Sequence, residues 1–308
     1  MAFDLGGYID LPPHANASGF DHAAVHQRTG RVYVAHTAND AIDVIDGWRR
    51  RYLGSISGLA AVAGALVSDE HDLVFTSNRG EDTIGIFSAA DDATVVKVPV
   101  GVRPNGLAYD APRRRLLAAN VGDPAIPDSF TVSIVDVAAS RCIVDVPVAG
   151  RTRWPVFDRE TEVFHVNIAD PPQVVVVDPR DPVAVQRVVP IPSAGPHGLD
   201  LDASTRRLFC ACDGRQLIVV HADSGDILYG AEISGVPDVV FFNAALKRLY
   251  VAIGDPGVIE VFDTETMRCR QTVRTEPGAH TLAFDAASHT VYAFLPRTHR
   301  VAVYVDGD

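Results

Sequence analysis

Long apolar runs, sulfur, tryptophan and surplus positive charge are all scarce in this sequence, and each shortage removes a class of protein. The longest apolar stretch, GLAAVAGALV at 58–67, is too short to cross a bilayer as a helix. The N-terminal MAFDLGGYIDLPP has neither the basic nor the apolar segment of a secretory leader, so a cytoplasmic protein without a membrane partner is expected. Four cysteines do not make a disulfide frame: Cys210 and Cys212 sit two apart on one strand-like run, side by side rather than facing. Cys142 and Cys269 fall at matching places in distant repeats, so all four read as free thiols suited to a reducing compartment. Lys and Arg number 27 against 39 Asp and Glu, a formal charge of −12 that argues against nucleic acid or an anionic membrane as the main partner. No stretch carries a sustained helical period.

What the chain has instead is self-similarity. The segment RPNGLAYDAPRRRLLAAN at 103–120 returns as GPHGLDLDASTRRLFCAC at 195–212 and as GVPDVVFFNAALKRLYVAI at 235–253. Weaker copies begin at 19, 65, 153 and 280, so one unit recurs seven times at a period of roughly 42 residues, which signals a stacked or circular repeat. Each unit holds four short runs rich in Val and Ile, separated by Gly, Asp, Asn and Pro; in the third unit they are GLAY, RLLAAN, TVSIVD and CIVDVPV. Four short strands per unit predict an all-β, seven-bladed β-propeller of four-stranded antiparallel blades, a single domain over residues 1–308. The seventh unit stops after its third strand, while GGYIDLPP at 6–13 opens the chain as an orphan. Placing Tyr8–Leu11 as the outer strand of the last blade closes the ring and removes its open edges.

In such a ring the innermost strands line a central channel, and loops at one mouth collect side chains from every blade. Aligning the units puts Asp21, Ala63, Asn105, Arg153, His197, Asp238 and His280 at one position, a first ring at the mouth. A second ring at the ends of the second strands holds His36, Asn78, Asn120, Asn167, Cys212, Ile253 and Leu295. The loop VGDPAIPDSF at 121–130 is a candidate lid. Asp21, Asn105, Asp238, His197 and His280 are the candidate ligands of a divalent metal ion, the implied cofactor. His197 or His280 would serve as general base, and Arg153 would hold a carboxylate or an oxyanion. Trp154, His36, Asn78, Asn120 and Asn167 are the candidate substrate contacts. Against this stands a plainer reading: polar channel residues bind water, Asn105 and Asp238 make local turns, and Arg153 neutralises the aspartates. His14 and His22 read as surface residues, His165 as a packed core histidine, and Asp46, Asp136, Asp178 and Asp263 as turn residues.

The words RVYVAH, LVFTSN, RLLAAN, RLYVAI and TVSIVD resemble the Tyr-Val-Thr-Asn repeat family of propellers over nearly the whole chain. The PNGLAYD of 104–110 resembles the channel segment of gluconolactonase-like propellers, where an Asn helps hold a divalent ion, and Asn105 matches it. PHGLDLD at 196–202 and His280 resemble the channel of virginiamycin B lyase, a metal-dependent propeller that opens a cyclic ester by elimination. These resemblances imply a metal-assisted lyase or hydrolase acting on a small ester or lactone at the mouth. The alternative is a non-catalytic propeller that binds a ligand or a protein there.

Overall fold

The computed structural model describes residues 3–90 and 94–307. They form seven four-stranded sheets whose strands pair antiparallel in sequence order, each sheet one blade. The innermost strands are Ala23–His26, Val62–Ser68, Pro104–Asp110, Thr152–Asp158, Pro196–Asp202, Val236–Asn243 and Thr281–Asp285. In blade 7 the fourth strand is Phe3–Asp10, paired with Arg300–Asp306, so the two ends of the chain close one sheet. That strand is longer than expected and starts earlier. It carries a bulge between Leu5 and Gly7, and Leu11 lies just outside it, donating its N–H to His299 O.

The apolar clusters explain why a ring forms. Each gathers side chains from two neighbouring blades: Val174, Val189 and Leu199 with Leu208 and Ile218 between blades 4 and 5, for example, or Tyr33, Ile42 and Leu59 with Val74 and Phe87 between blades 1 and 2. Second and third strands are sandwiched on both faces and read as continuous apolar runs, such as RVYVAH and AIDVID. Outer strands are covered on one side, and Arg51–Ser57 alternates between exposed and partly covered positions accordingly. Hydrophobic burial is thus satisfied between blades, and the axis is left as a bore. Asp46, Asp136, Asp178 and Asp263 accept backbone N–H bonds from Arg49, Ala139, Arg180 and Thr266, the turn role expected of them. All four cysteines are free.

Candidate functional site

The first-ring position is singled out by backbone geometry. In blades 2 to 6 the ladder between the first and second strands slips across it: between Val62 and Gly64, Pro104 and Leu107, Thr152 and Pro155, Pro196 and His197's neighbour Gly198, and Pro237 and Val240. A bulge leaves its extra residue unpaired and re-aims the side chain, here toward the bore. In blades 1 and 7, Asp21 and His280 stand just before their innermost strands.

The residue that follows decides how closely blades approach. A Cβ on Gly64 would collide with Asn105 O, on Gly106 with Arg153 O, and on Gly198 with Asp238 O. Those glycines let adjacent innermost strands touch backbone to backbone. The same repeat position holds His22 in blade 1 and Trp154 in blade 4, and their rings meet at 4.1 Å between non-adjacent blades. Together they obstruct the bore below the ring.

Four consecutive blades join through first-ring side chains. Arg153 Nη1 lies 3.0 Å from His197 Nε2, His197 Nε2 lies 3.2 Å from Asp238 Oδ1, and His280 Nδ1 lies 2.6 Å from Asp238 Oδ2. The last contact falls off the N–H axis of the ring. Asp213, from the loop after the second strand of blade 5, accepts a 2.7 Å hydrogen bond from His197 Nδ1 and one of 3.3 Å from Arg153 Nη2. Across the bore, Arg79 Nη2 donates to Asp21 Oδ2 at 3.3 Å, and Asp21 Oδ1 stands 3.3 Å from His22 Nε2.

Charge follows from these contacts. Burial pulls the His197 imidazole down, but Asp238 and Asp213 on its two nitrogens outweigh that and push it up to about 9. With Nε2 protonated toward Asp238, the Arg153 approach is a contact between two cations that share the Asp213 carboxylate. Burial works against an ionised Asp238, yet the flanking imidazoles hold it well below the usual carboxylate range. His280 is likewise raised against the pull of burial, by Asp238 and then Asp21. His22 goes the other way, lowered by burial despite Asp21 beside it. Arg151 is lowered by burial and then by Arg153, Arg79 and Arg103, which marks a positive sector over blades 2 to 4 facing the acidic Asp213, Asp238 and Asp21.

Several expectations need correction. His197 has a carboxylate at each nitrogen, Asp213 at Nδ1 and Asp238 at Nε2, and in this arrangement neither nitrogen is free to face a substrate. His36, Asn78, Asn120 and Asn167 are fully buried and offer a ligand no surface. His36 Nδ1 bonds Asp43 at 2.7 Å, with His14 Nδ1 2.7 Å from its Nε2. Asn78 donates to Thr83 Oγ1, Asn120 to Thr131 and Ser133 hydroxyls, and Asn167 to His197 O and Gly198 O. His22 is buried at 6 % exposure, not a surface residue; His14 is half-buried, and His165 is buried as expected. The 121–130 loop is braced by itself, Ser129 Oγ bridging the N–H and O of Asp123.

The residues do not fit a divalent ion. Both oxygens of Asp238 face imidazoles, Arg79 and Arg153 bring positive charge into the ring, and among the described residues no group of three or more His, Cys, Asp or Glu is set to hold a metal. Asn105 Oδ1 is buried without a hydrogen-bond partner, a lone donor rather than a ligand set. Sequence reasoning missed Arg79 and Asp213. They share one repeat position, the residue directly after the second-ring position in Asn78-Arg79 and Cys212-Asp213, and a charge there was the available signal. A cavity of about 630 Å³ lies on the outer rim of blade 1 beside Leu53–Ser57, away from this chemistry.

Among solved structures, the chain is similar to one from the crystal structure of a mitotic checkpoint complex (TM-score 0.84, 10% identity, covering 100% of this chain and 94% of that one). It is also similar to a chain of Kuenenia stuttgartiensis hydrazine synthase (TM-score 0.82, 12% identity, covering 97% of each). The likeness is one of fold. No protein-family model and no curated protein matches the sequence.

Proposed function

We propose that the polar mouth is the active site of an enzyme acting on a small, carboxylate-bearing ester or lactone, with His280 as its acid–base group. The observation that carries this reading is the Asp238–His280 pair. One imidazole nitrogen stands 2.6 Å from a partly buried carboxylate, while the His280 side chain remains 34 % exposed. A carboxylate beside an imidazole stabilises its charged form, which suits proton transfer at the other nitrogen. His280 enters as the acid, a role that its raised pKa favours. In hydrolysis, water adds to the substrate carbonyl, the C–O bond breaks, and His280 protonates the departing oxygen. Asp21 takes the proton of the water. Arg153, Arg79 and Arg151 attract the substrate carboxylate and offset charge on the carbonyl oxygen. A metal is left out of the step because the donors do not suit one.

The test is turnover of a panel of carboxylate-bearing esters and lactones by the full chain. His280→Gln should lower the rate by about 10²–10⁴-fold in a protein that still folds cooperatively. The rate should fall as pH rises through the raised His280 pKa, and a chelator should have no effect. Loss of activity on chelation, with stoichiometric metal in the protein, would overturn the metal-free step. A second reading has its own observation. Arg153, His197, Asp238 and His280 already pair with one another, as in a clamp that fixes the ring of a non-catalytic binding propeller. Under that reading no ester or lactone turns over and His280→Gln costs stability.

A further inference from the structure

Below the Trp154–His22 contact the bore opens into a second space. Two overlapping lobes, of about 400 and 250 Å³, share Leu66, Leu107, Trp154 and Phe241 in their walls. Their lining comes from residues one to seven positions further along the chain than the first ring, and the level of Leu66, Asp200 and Phe241, three positions on, is roughly 10 Å down the bore at 3.3 Å per residue. The chamber therefore opens on the opposite face, by the turns that carry Asp69, Glu70 and Arg159. It is a different site from the polar mouth and does not rest on the reading of that mouth.

Its chemistry is aromatic and acidic. Trp154, Tyr109, Phe157, Phe241 and Phe284 all contribute to the walls, and each keeps part of its surface uncovered. Asp200 lies in the same wall. Its two oxygens accept one backbone N–H each, from Leu201 at 2.8 Å and Phe242 at 2.7 Å, which leaves each with a lone pair to spare. No Lys, Arg or His among the described residues forms an ion pair with it, and the charge that acts on it is another carboxylate, Asp202. Burial pushes its carboxyl up to about 6, the response of a carboxylate taken out of water without a counter-charge. At the rim Arg159 lies 3.6 Å from Glu70, so the one arginine of the lining is already opposed. Asp69 lies 3.5 Å from His26 Nε2 and accepts the N–H of Arg28.

We propose that this chamber is a binding site for an organic cation, an amine or quaternary ammonium carried on an apolar body. Aromatic faces attract a cation through their quadrupoles while accommodating its hydrocarbon, and a desolvated carboxylate supplies the charge that a neutral ligand would leave unpaired. A cavity of this size that sets charged groups beside aromatic walls suits a small molecule with one charged end. An anionic ligand would meet Asp200, Asp69 and Glu70 against one opposed arginine, so the site selects by charge as well as by shape.

The experiment uses the full chain with Trp48→Phe, which leaves Trp154 as the sole tryptophan and a reporter in the chamber wall. Its emission is titrated with three probes of one shape: phenylbutylamine, phenylbutanol and phenylbutyrate. The amine should bind saturably and at least about tenfold more tightly than the alcohol, with the carboxylate weakest. Asp200→Asn should erase the preference for amine over alcohol while alcohol binding persists, which also shows that the variant is folded. If that variant fails to fold, Phe284→Leu serves instead and should narrow the preference. Equal binding of amine and alcohol, a preference that survives in both variants, or no saturable change in emission would overturn the proposal.

Discussion

Replacing Asp238 by Asn tests the electrostatic core of the polar mouth. The substitution keeps the shape and removes the charge between His197 and His280. His197 is raised from 6.5 to about 9, which corresponds to roughly 3 kcal/mol favouring its charged form. Asp238 supplies a larger share than Asp213, so on the order of 2 kcal/mol should disappear with it. A raised pKa stabilises the fold fully below the unfolded value of 6.5, and that stabilisation is lost as pH rises through about 9. The gap between the native protein and Asp238→Asn should therefore be widest near pH 6 and close by about pH 10. For 308 residues, 2 kcal/mol amounts to about 3 °C in melting temperature, measurable by thermal unfolding followed by circular dichroism at the two pH values. The His197 imidazole, followed by NMR, should titrate near 9 in the native protein and distinctly lower in the variant. A gap of the same size at both pH values, or a His197 titration that the substitution leaves alone, would refute the reasoning.

Other outcomes follow from particular contacts. Gly198→Ala places a Cβ against the backbone oxygen of Asp238, which cannot swing aside, and should destabilise by about 1–3 kcal/mol in urea unfolding. Arg248 pairs with fully buried Asp306, which also accepts a 2.7 Å bond from Tyr250 OH beside the closing sheet, so Asp306→Ala should cost about 3–5 kcal/mol by the same assay. With Ellman's reagent, exposed Cys269 should react first and half-buried Cys142, pushed up to about 11, slowly. Cys210 and Cys212 should react only after unfolding, and prompt labelling of all four would contradict the packing between blades 4 and 5.

The repeat alone determined the ring. Seven copies of a four-strand unit, each apolar on the faces that meet its neighbours, bury those faces by closing on themselves; the sequence placed Tyr8–Leu11 as the closing strand, and the structure puts that strand at Phe3–Asp10. The same alignment marked Asp21, Arg153, His197, Asp238 and His280 as neighbours, because a circular arrangement converts equal repeat positions into a circle of side chains. What it could not convey was direction and distance. Whether Asn78 faces the mouth or the inside of its blade depends on side-chain torsion and on which hydroxyl lies across the ladder, here Thr83. That His197 spends both nitrogens on carboxylates depends on Asp213, which reaches it from a loop 16 residues further along the chain. That His22 and Trp154 close the bore depends on two bulky residues standing where three other blades have glycine, a contact between blades that no pattern within one repeat encodes. Repetition specifies how blades pair because pairing is local and periodic; the chemistry of the axis belongs to the exceptions in each copy, and those meet only in three dimensions.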